Sequence, residues 1–354
     1  MRTVKIGSLE VGHGRPCYFV AEIGSNFDGE IDRARHLIRL AKECGANAAK
    51  FQSFIPEEII RPEGFVNPEG FQARWSRPVH EVYRTAMLPR EWHRPLKEYC
   101  GEVGIEFLSS PYDVGAVSLL DELGVSAHKM GSGEITNLQF LSHIARSGKP
   151  VILGTGASTF AEVARAVEVL RESGCSELIL LQCITSYPSC IESAEIRAMS
   201  KMGEAFDCLV GYSDHSPGAL VPIAAVCLGA CMIEKHFTDD CSREGPDHPF
   251  AMEPDAFRSM VDQIKLLEKA LGSGEKRVME EEVRTRAAQR RGLWFVRDCA
   301  AGQLLTEDDI KVLRPAHGIS PEALSWVVGM RLQADVSAGT PVRWEVLRGG
   351  MEST

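Results

Sequence analysis

The sequence lacks the features that mark several classes of protein. It has no apolar run of the about 18 residues that a membrane helix needs, and residues 1–10 carry charges where a signal peptide would be apolar. Its 11 cysteines form no Cys-x-x-Cys pair, which argues against a zinc site or a disulfide framework and predicts reduced, buried thiols. We therefore expect a cytoplasmic protein that does not enter a membrane.

An excess of basic residues is also missing. The 354 residues include 39 Lys and Arg against 49 Asp and Glu, a formal net charge of -10. Nucleic acids and anionic membranes bind basic surfaces, so neither is an expected partner. A small phosphorylated substrate is compatible with this charge, because a few converging Lys, Arg and backbone N–H groups can bind it.

What the sequence does contain is a repeated alternation of short apolar runs and amphipathic stretches, as in successive βα units. The apolar runs predict eight strands, at 18–24, 46–52, 105–109, 126–130, 151–155, 178–183, 209–213 and 230–236. Helical patterns accompany them near 31–44, 90–103, 114–123, 138–146, 160–172, 191–206, 218–228 and 254–271. Eight such units favour an α/β fold with a closed (β/α)8 TIM barrel over an open doubly wound sheet, which periodicity alone leaves possible.

The pattern changes after Leu271. Residues 276–291 are highly charged, which predicts an exposed linker or a solvated helix. From Gly292 onward, short apolar runs alternate with Gly, Pro and Asp turns, which predicts a small β-rich domain. The predicted organisation is a barrel domain at 1–275, a linker at 276–291 and a second domain at 292–354.

Polar side chains end almost every predicted strand. In a barrel of parallel strands, catalytic groups lie at the carboxyl ends of the strands and in the loops that follow. One polar strand end needs no function, since every strand stops at a turn, but the coincidence across the units favours an active site. The candidates are Glu22, Lys50, Gln52, Ser132, Thr155, Thr185, Tyr187, Ser213 and Glu234.

Two histidines are candidate metal ligands. His215 follows the seventh strand and His236 ends the eighth, so the two imidazoles could share one divalent ion. Asp214 and Glu234 are nearby carboxylates that could hold a metal-bound water or orient an imidazole.

Two lysines predict an anion site. Lys50 and Lys129 each interrupt an apolar strand, where an unpaired ammonium group is costly, so each is expected to be paired or to await an anion. Glycine-rich loops at 131–133 and 154–158 could present backbone N–H groups to a phosphate.

The motifs resemble, in order, those of one known family. AEIGSN (21–26), AKFQ (49–52), HKMGSGEITN (128–137), GYSDH (211–215), IEKHFTDD (233–240) and GPDH (245–248) are similar to motifs of the sialic acid synthases. That family includes N-acetylneuraminate, legionaminate and pseudaminate synthases. RRGLW (290–294) and RPAHGIS (314–320) resemble the antifreeze-like domain that ends these enzymes.

The resemblance implies a barrel joined to an antifreeze-like β-clip domain, in a domain-swapped homodimer. It implies condensation of phosphoenolpyruvate with an N-acylated amino-sugar aldehyde, such as N-acetylmannosamine, to a nine-carbon 2-keto acid plus phosphate. Mn2+ or Mg2+ would be bound by His215 and His236, with Glu234 reached through a water.

The remaining roles are also implied by the resemblance alone. The residues expected to bind phosphoenolpyruvate are Lys50, Lys129, Ser132, Thr155, Thr185 and Ser213. Those expected at the sugar are Glu22, Gln52, Asp247 and, from a partner subunit, Arg314. Those expected to act in catalysis are Glu22, Gln52, Glu234 and Tyr187.

Other functions stay open. A related barrel enzyme could join phosphoenolpyruvate to a sugar phosphate, but it would not need the C-terminal domain with Arg314. A non-catalytic sugar-binding relative would be expected to have lost the histidines or lysines, and both sets are present. A metal-dependent sugar hydrolase or epimerase is a further alternative.

Several positions depart from the family pattern, among them three that bear on the acceptor. Phe27 and Gln182 stand where the family usually has histidine, and Thr185 stands where it often has asparagine. We interpret all three as substrate-facing positions, which predicts an acceptor other than plain N-acetylmannosamine, or relaxed specificity.

Overall fold

Eight parallel strands form the sheet at the centre of the first unit of the chain. The computed structural model describes residues 2–65, 72–73 and 75–348. The chain divides into two compact units, Met1–Gly272 and Ser273–Thr354. Residues 349–354 of the predicted second domain lie outside the described residues. No helix among the described residues is long and apolar enough to cross a membrane.

The elements of the first unit alternate as the sequence predicts. Its strands are β1 (Thr3–Ile6), β2 (Leu9–Gly12), β3 (Tyr18–Glu22), β4 (Ala48–Ser53), β5 (Glu106–Pro111), β6 (His128–Met130), β7 (Val151–Gly154), β8 (Leu178–Cys183), β9 (Leu209–Asp214) and β10 (Met232–His236). Its helices are α1 (Ile31–Glu43), α2 (Pro56–Ile59), α3 (Val79–Ala86), α4 (His93–Val103), α5 (Val114–Leu123), α6 (Leu138–Ala145), α7 (Phe160–Glu172), α8 (Ile196–Phe206), α9 (Leu220–Cys227) and α10 (Pro254–Leu271).

The predicted (β/α)8 barrel is confirmed. The parallel strands lie in the order β5-β4-β3-β10-β9-β8-β7-β6, and the end strands β5 and β6 contact each other without forming a ladder, so the barrel is nearly closed. The sequence interpretation missed the β1–β2 hairpin and helices α2 and α3. Val4, Ile6 and Val11 of the hairpin belong to the same buried cluster as the inward side chains of the barrel, so the hairpin closes its amino-terminal end.

The two-residue period of the strands decides which side chains face inward. Tyr18, Ala48 and Met232 pack inside the barrel, whereas their neighbours Phe19 and Ala49 pack in the outer layer against the helices. Continuing this alternation toward the carboxyl ends turns a set of polar side chains inward: Glu22, Lys50, Gln52, Lys129, Ser213, Glu234 and His236. The barrel interior is therefore apolar at one end and polar at the other.

The second unit has its own small core. It begins with an exposed helix, α11 (Glu282–Gln289), and contains the antiparallel pairs β11 (Gly292–Phe295) with β12 (Ile310–Leu313) and β13 (Arg331–Leu332) with β14 (Leu347–Arg348). A short helix, α12 (Leu324–Val327), occupies part of a run that the sequence suggested was extended. Its core includes Leu293, Phe295, Leu305, Val327 and Val342.

Candidate active site

The polar end of the barrel, which we call the mouth, contains a cavity of about 160 Å3. Much of its wall is aromatic, from Phe54, Trp75, Tyr83, Tyr112, Tyr187 and Phe250. Its polar lining comes from Ser25, Gln52, His236 and Asp247. A concave site with few polar groups at the carboxyl ends of barrel strands is the usual place for small-molecule chemistry.

Two ammonium groups and two carboxylates form a buried cluster at the mouth. Lys50 Nζ lies 2.6 Å from Glu22 Oε2 and 3.7 Å from Glu234 Oε2. Lys129 Nζ lies 3.3 Å from Glu234 Oε1, which also accepts a 2.9 Å hydrogen bond from the Ser213 hydroxyl. The predicted pairing of the lysines is therefore provided by carboxylates of β3 and β10, and all five side chains are buried.

The opposite charges in the cluster shift the pKa values of Lys50 and Glu234. Burial alone would lower the pKa of Lys50, but Glu22 and Glu234 outweigh it and raise the pKa above its usual range. Burial alone would raise the pKa of Glu234, but Lys129 and Lys50 outweigh it and lower the pKa to about 2. The Lys50 ammonium and the Glu234 carboxylate therefore stabilise each other in their charged forms.

The two candidate metal ligands lie side by side. The ring centroids of His215 and His236 are 5.5 Å apart, and Tyr187 packs on the His215 ring at 4.2 Å. His215 uses Nδ1 to hydrogen-bond the Ile184 carbonyl at 2.7 Å, which leaves Nε2 as its available ligand atom. Burial and the neighbouring His236 lower the pKa of His215 to about 3, so its imidazole is neutral, as a metal ligand must be.

These residues fit a divalent ion with an open coordination sphere. His236 Nδ1 is buried, has no hydrogen-bond partner among the described residues and lies 3.9 Å from Asp247 Oδ2. Within the described part of the chain, no group of three or more His, Cys, Asp and Glu side chains forms a metal cage. Two imidazoles would leave several positions to water or substrate, as catalytic sites require.

The interpretation of Asp214 as a carboxylate near the metal is wrong. Asp214 lies on the outer face of β9, opposite Lys235 of β10 in the strand register, and forms an ion pair with it. Its other oxygen accepts hydrogen bonds from the backbone and hydroxyl of Ser216. Asp214 therefore fixes the start of the loop that carries His215, and its carboxylate is not available to the cavity.

A second group of small polar residues lies where β6, β7 and β8 end. Gly156 N–H donates to Ser132 Oγ at 3.0 Å, and Ser132 Oγ lies 3.1 Å from Cys183 Sγ. A Cβ at Gly156 would lie 2.7 Å from Thr185 Cγ2, so only glycine permits this close approach. The hydroxyl of Thr155 instead donates to the Leu181 carbonyl at 2.9 Å. The structure therefore brings Ser132 and Thr185 together, next to the strands that carry the buried lysines and glutamates.

Three of the four predicted sugar residues, Glu22, Gln52 and Asp247, lie close together at the mouth. Gln52 donates to Glu22 Oε1 at 2.7 Å. Asp247 Oδ2 accepts hydrogen bonds from the backbone N–H of Ser25 at 3.1 Å and from its hydroxyl at 2.9 Å. Arg314 is exposed in the second unit, after β12, and forms no ion pair among the described residues.

Two of the three departures from the family pattern do not face the cavity. Phe27 is fully buried against Phe51 and Trp92 in the outer layer. Gln182 lies on the outer face of β8 and donates to the Ala194 carbonyl at 3.4 Å. The interpretation of these two as substrate-facing is therefore wrong, because the backbone turns them away from the mouth. Thr185 is the departure that lies near the site.

The sequence interpretation missed much of the cavity wall. Helix α3 supplies Val82, Tyr83 and Ala86, and Tyr112 follows β5. Val79, Val82, Tyr83 and Ala86 have the spacing of one helical face, so a signal for α3 was present in the sequence.

Comparisons with known proteins relate the chain to one family. The model of the NeuB family matches residues 37–276, and that of the SAF domain matches residues 290–348. The chain is 38% identical over 341 residues to the N,N'-diacetyllegionaminic acid synthase of Legionella pneumophila, covering 94% of this chain and 95% of the relative. It is 35% identical over 332 residues to the pseudaminic acid synthase of Helicobacter pylori, covering 93% and 97%.

A solved structure supports the same relationship. The N-acetylneuraminic acid (sialic acid) synthetase from Leptospira borgpetersenii matches with a TM-score of 0.72 and 30% identity, covering 80% of this chain and 95% of that one. The chain therefore belongs to the NeuB family of sialic-acid-type synthases and ends in a SAF, or antifreeze-like, domain.

Proposed function

We propose that this enzyme condenses phosphoenolpyruvate with an N-acylated amino-sugar aldehyde to a nine-carbon 2-keto acid and phosphate. The observation that carries the proposal is the convergence of Lys50, Lys129, His215 and His236 at the mouth of the barrel, beside an aromatic cavity. Relatives named as legionaminic and pseudaminic acid synthases support the product class.

Phosphoenolpyruvate is placed on the lysine side of the site. Lys50 and Lys129 meet the phosphate and carboxylate charges. Ser132, Thr155, Thr185 and Ser213 are the proposed neighbouring contacts. Preorganised charges of this kind act where the reaction develops negative charge. Carbon 3 forms the bond to the aldehyde carbon, water adds at carbon 2, and the bond between carbon 2 and the phosphate oxygen breaks as phosphate leaves.

The acceptor sugar is placed in the aromatic cavity, with its aldehyde toward His236. Glu22, Gln52 and Asp247 supply polar contacts, and Tyr187 covers the histidine pair. His215 and His236 would hold Mn2+ or Mg2+, with Glu234 reached through a water. Such an ion, when bound, polarises the aldehyde carbonyl. The aromatic wall excludes bulk water from the aldehyde carbon of the acceptor.

A domain-swapped homodimer is part of the proposal. In it Arg314 of the partner subunit would reach the N-acyl group of the sugar. The family resemblance supports this part, as does the exposure of Arg314, which forms no ion pair among the described residues.

The test is a phosphate-release assay with phosphoenolpyruvate, Mn2+ and a panel of acceptors. The panel contains N-acetylmannosamine, its 6-phosphate, di-N-acylated diamino sugars and the short sugar phosphates used by related barrel enzymes. We expect release that depends on an N-acylated amino sugar, and mass spectrometry should identify the nine-carbon acid. Release only with the short sugar phosphates would favour the related enzyme class and contradict the proposal.

A further inference from the structure

Two loops at the mouth are tied together by a buried histidine. One loop joins β3 to α1 and the other joins β10 to α10. His248, in the second loop, is fully buried, and its Nε2 lies 2.8 Å from Asp28 Oδ1 in the first loop. Its Nδ1 lies 2.7 Å from Thr238 Oγ1. Because a carboxylate only accepts, Nε2–H donates to Asp28, while Nδ1 forms the hydrogen bond with the hydroxyl of Thr238.

Asp28 is held by several partners at once. Arg33 Nε lies 3.0 Å and Arg243 Nη2 2.8 Å from Asp28 Oδ2, while His248 occupies Oδ1. Asp28 has a φ of 53°, a left-handed conformation that is uncommon for a residue with a side chain. Surrounding contacts must stabilise such a residue, and here they are charged ones.

The residue before His248 is the one that faces the cavity. Asp247 Oδ2 binds the backbone and hydroxyl of Ser25, three residues before Asp28. The same oxygen lies 3.9 Å from His236 Nδ1. The two loops are therefore joined at two neighbouring points. One point lies in the cavity, at Asp247, and the other lies behind it, at His248.

We infer that Asp28 and His248 are positioning residues that set where Asp247 presents its carboxylate to the acceptor sugar. This inference rests on the proposed function, because it takes the cavity beside Asp247 as the acceptor site. His248 and Asp28 do not line that cavity, so they act through Asp247. The KM for phosphoenolpyruvate, which is proposed to bind on the lysine side, should not depend on these two residues.

The test compares Asp28→Asn and Asp28→Ala with the wild-type enzyme. Asn keeps an oxygen acceptor and tolerates positive φ, but it removes the charge that faces Arg33 and Arg243. Ala removes the acceptor as well. Misplacement of an active-site group by about 1 Å can lower catalytic efficiency on the order of 100-fold. Because Asp247 is proposed to bind the acceptor, we expect this loss as a higher acceptor KM. That KM should rise toward this factor with Asp28→Ala and by less with Asp28→Asn. The KM for phosphoenolpyruvate should stay unchanged.

Asp121→Asn is a matched control. Asp121 also binds the Nε2 of a fully buried histidine, His128, at 2.9 Å, but on the outside of the barrel. It should lower thermal stability without changing the acceptor KM. Circular dichroism and Tm values establish that each variant is folded, and Asp28→Asn serves if Asp28→Ala does not fold.

The outcomes separate this inference from the proposed function. An unchanged acceptor KM in folded Asp28→Asn and Asp28→Ala would overturn the inference and leave the proposed function intact. A rise of both KM values together, as for a general loss of structure, would also overturn it. If the wild-type enzyme neither releases phosphate with any amino sugar nor is thermally stabilised by one, both ideas fall.

Discussion

Glu234→Gln tests the charge cluster most directly. The substitution keeps the shape of the side chain and removes its charge. Lys50 would keep Glu22 at 2.6 Å, but Lys129 would lose Glu234, its only ion-pair partner among the described residues. The fold would then contain a buried ammonium group with no opposite charge beside it.

The size of the effect follows from the burial of the pair. Removing one partner of a buried ion pair costs about 3–5 kcal/mol. In a unit of this size each kcal/mol lowers Tm by about 2–4 °C. We therefore expect Tm to fall by at least about 6 °C in the absence of ligand. Phosphoenolpyruvate should recover part of this loss, because its phosphate would replace the missing negative charge beside Lys129.

Thermal unfolding with and without phosphoenolpyruvate measures both effects. The double variant Glu234→Gln, Lys129→Met is the control, since removing the unpaired ammonium should restore much of the lost stability. Turnover should fall in both, because Glu234 is also proposed to act in catalysis. A Tm within about 1 °C of the wild type, against the at least 6 °C expected, would refute the reasoning. Equal stabilisation of variant and wild type by phosphoenolpyruvate would refute the placement of its phosphate.

Three further predictions concern single residues. His236→Ala should abolish turnover and weaken Mn2+ binding, measured by titration calorimetry, while Tm stays near that of the wild type; full activity would exclude the metal assignment. Arg314→Ala should raise the KM for the sugar with little change in kcat, and unaltered sugar kinetics would remove Arg314 from the site. Burial lowers the pKa of His93 to about 4, so the unfolded state binds the extra proton and stability should decline by up to about 3 kcal/mol as pH falls from about 6.5 through 4. Folded His93→Gln should lose that part of the slope in denaturant unfolding at each pH, and an identical slope would contradict the assignment.

The sequence alone was enough to predict the βα alternation and the charged and imidazole side chains at the strand ends. Short apolar runs that alternate with amphipathic stretches favour parallel strands with connecting helices, and parallel strands bring their carboxyl ends to one edge. In a closed barrel Lys50, Lys129, His215 and His236 were therefore expected near the same end. Burying such a group without a partner costs free energy, which indicated that partners or ligands would be found beside these side chains.

The sequence could not show which of the residues next to these in the chain face the cavity; that depends on the tertiary structure. A displacement of one residue along a strand turns a side chain to the opposite face, and strand ends read from sequence are less exact than that. Asp214 and Gln182 were misplaced for this reason, whereas Phe27 lies in the loop between β3 and α1 and is buried by the path of that loop. The pairing of Asp28 with His248 joins residues 220 positions apart. No local pattern encodes such a contact, because it depends on the paths of two loops after the barrel has formed.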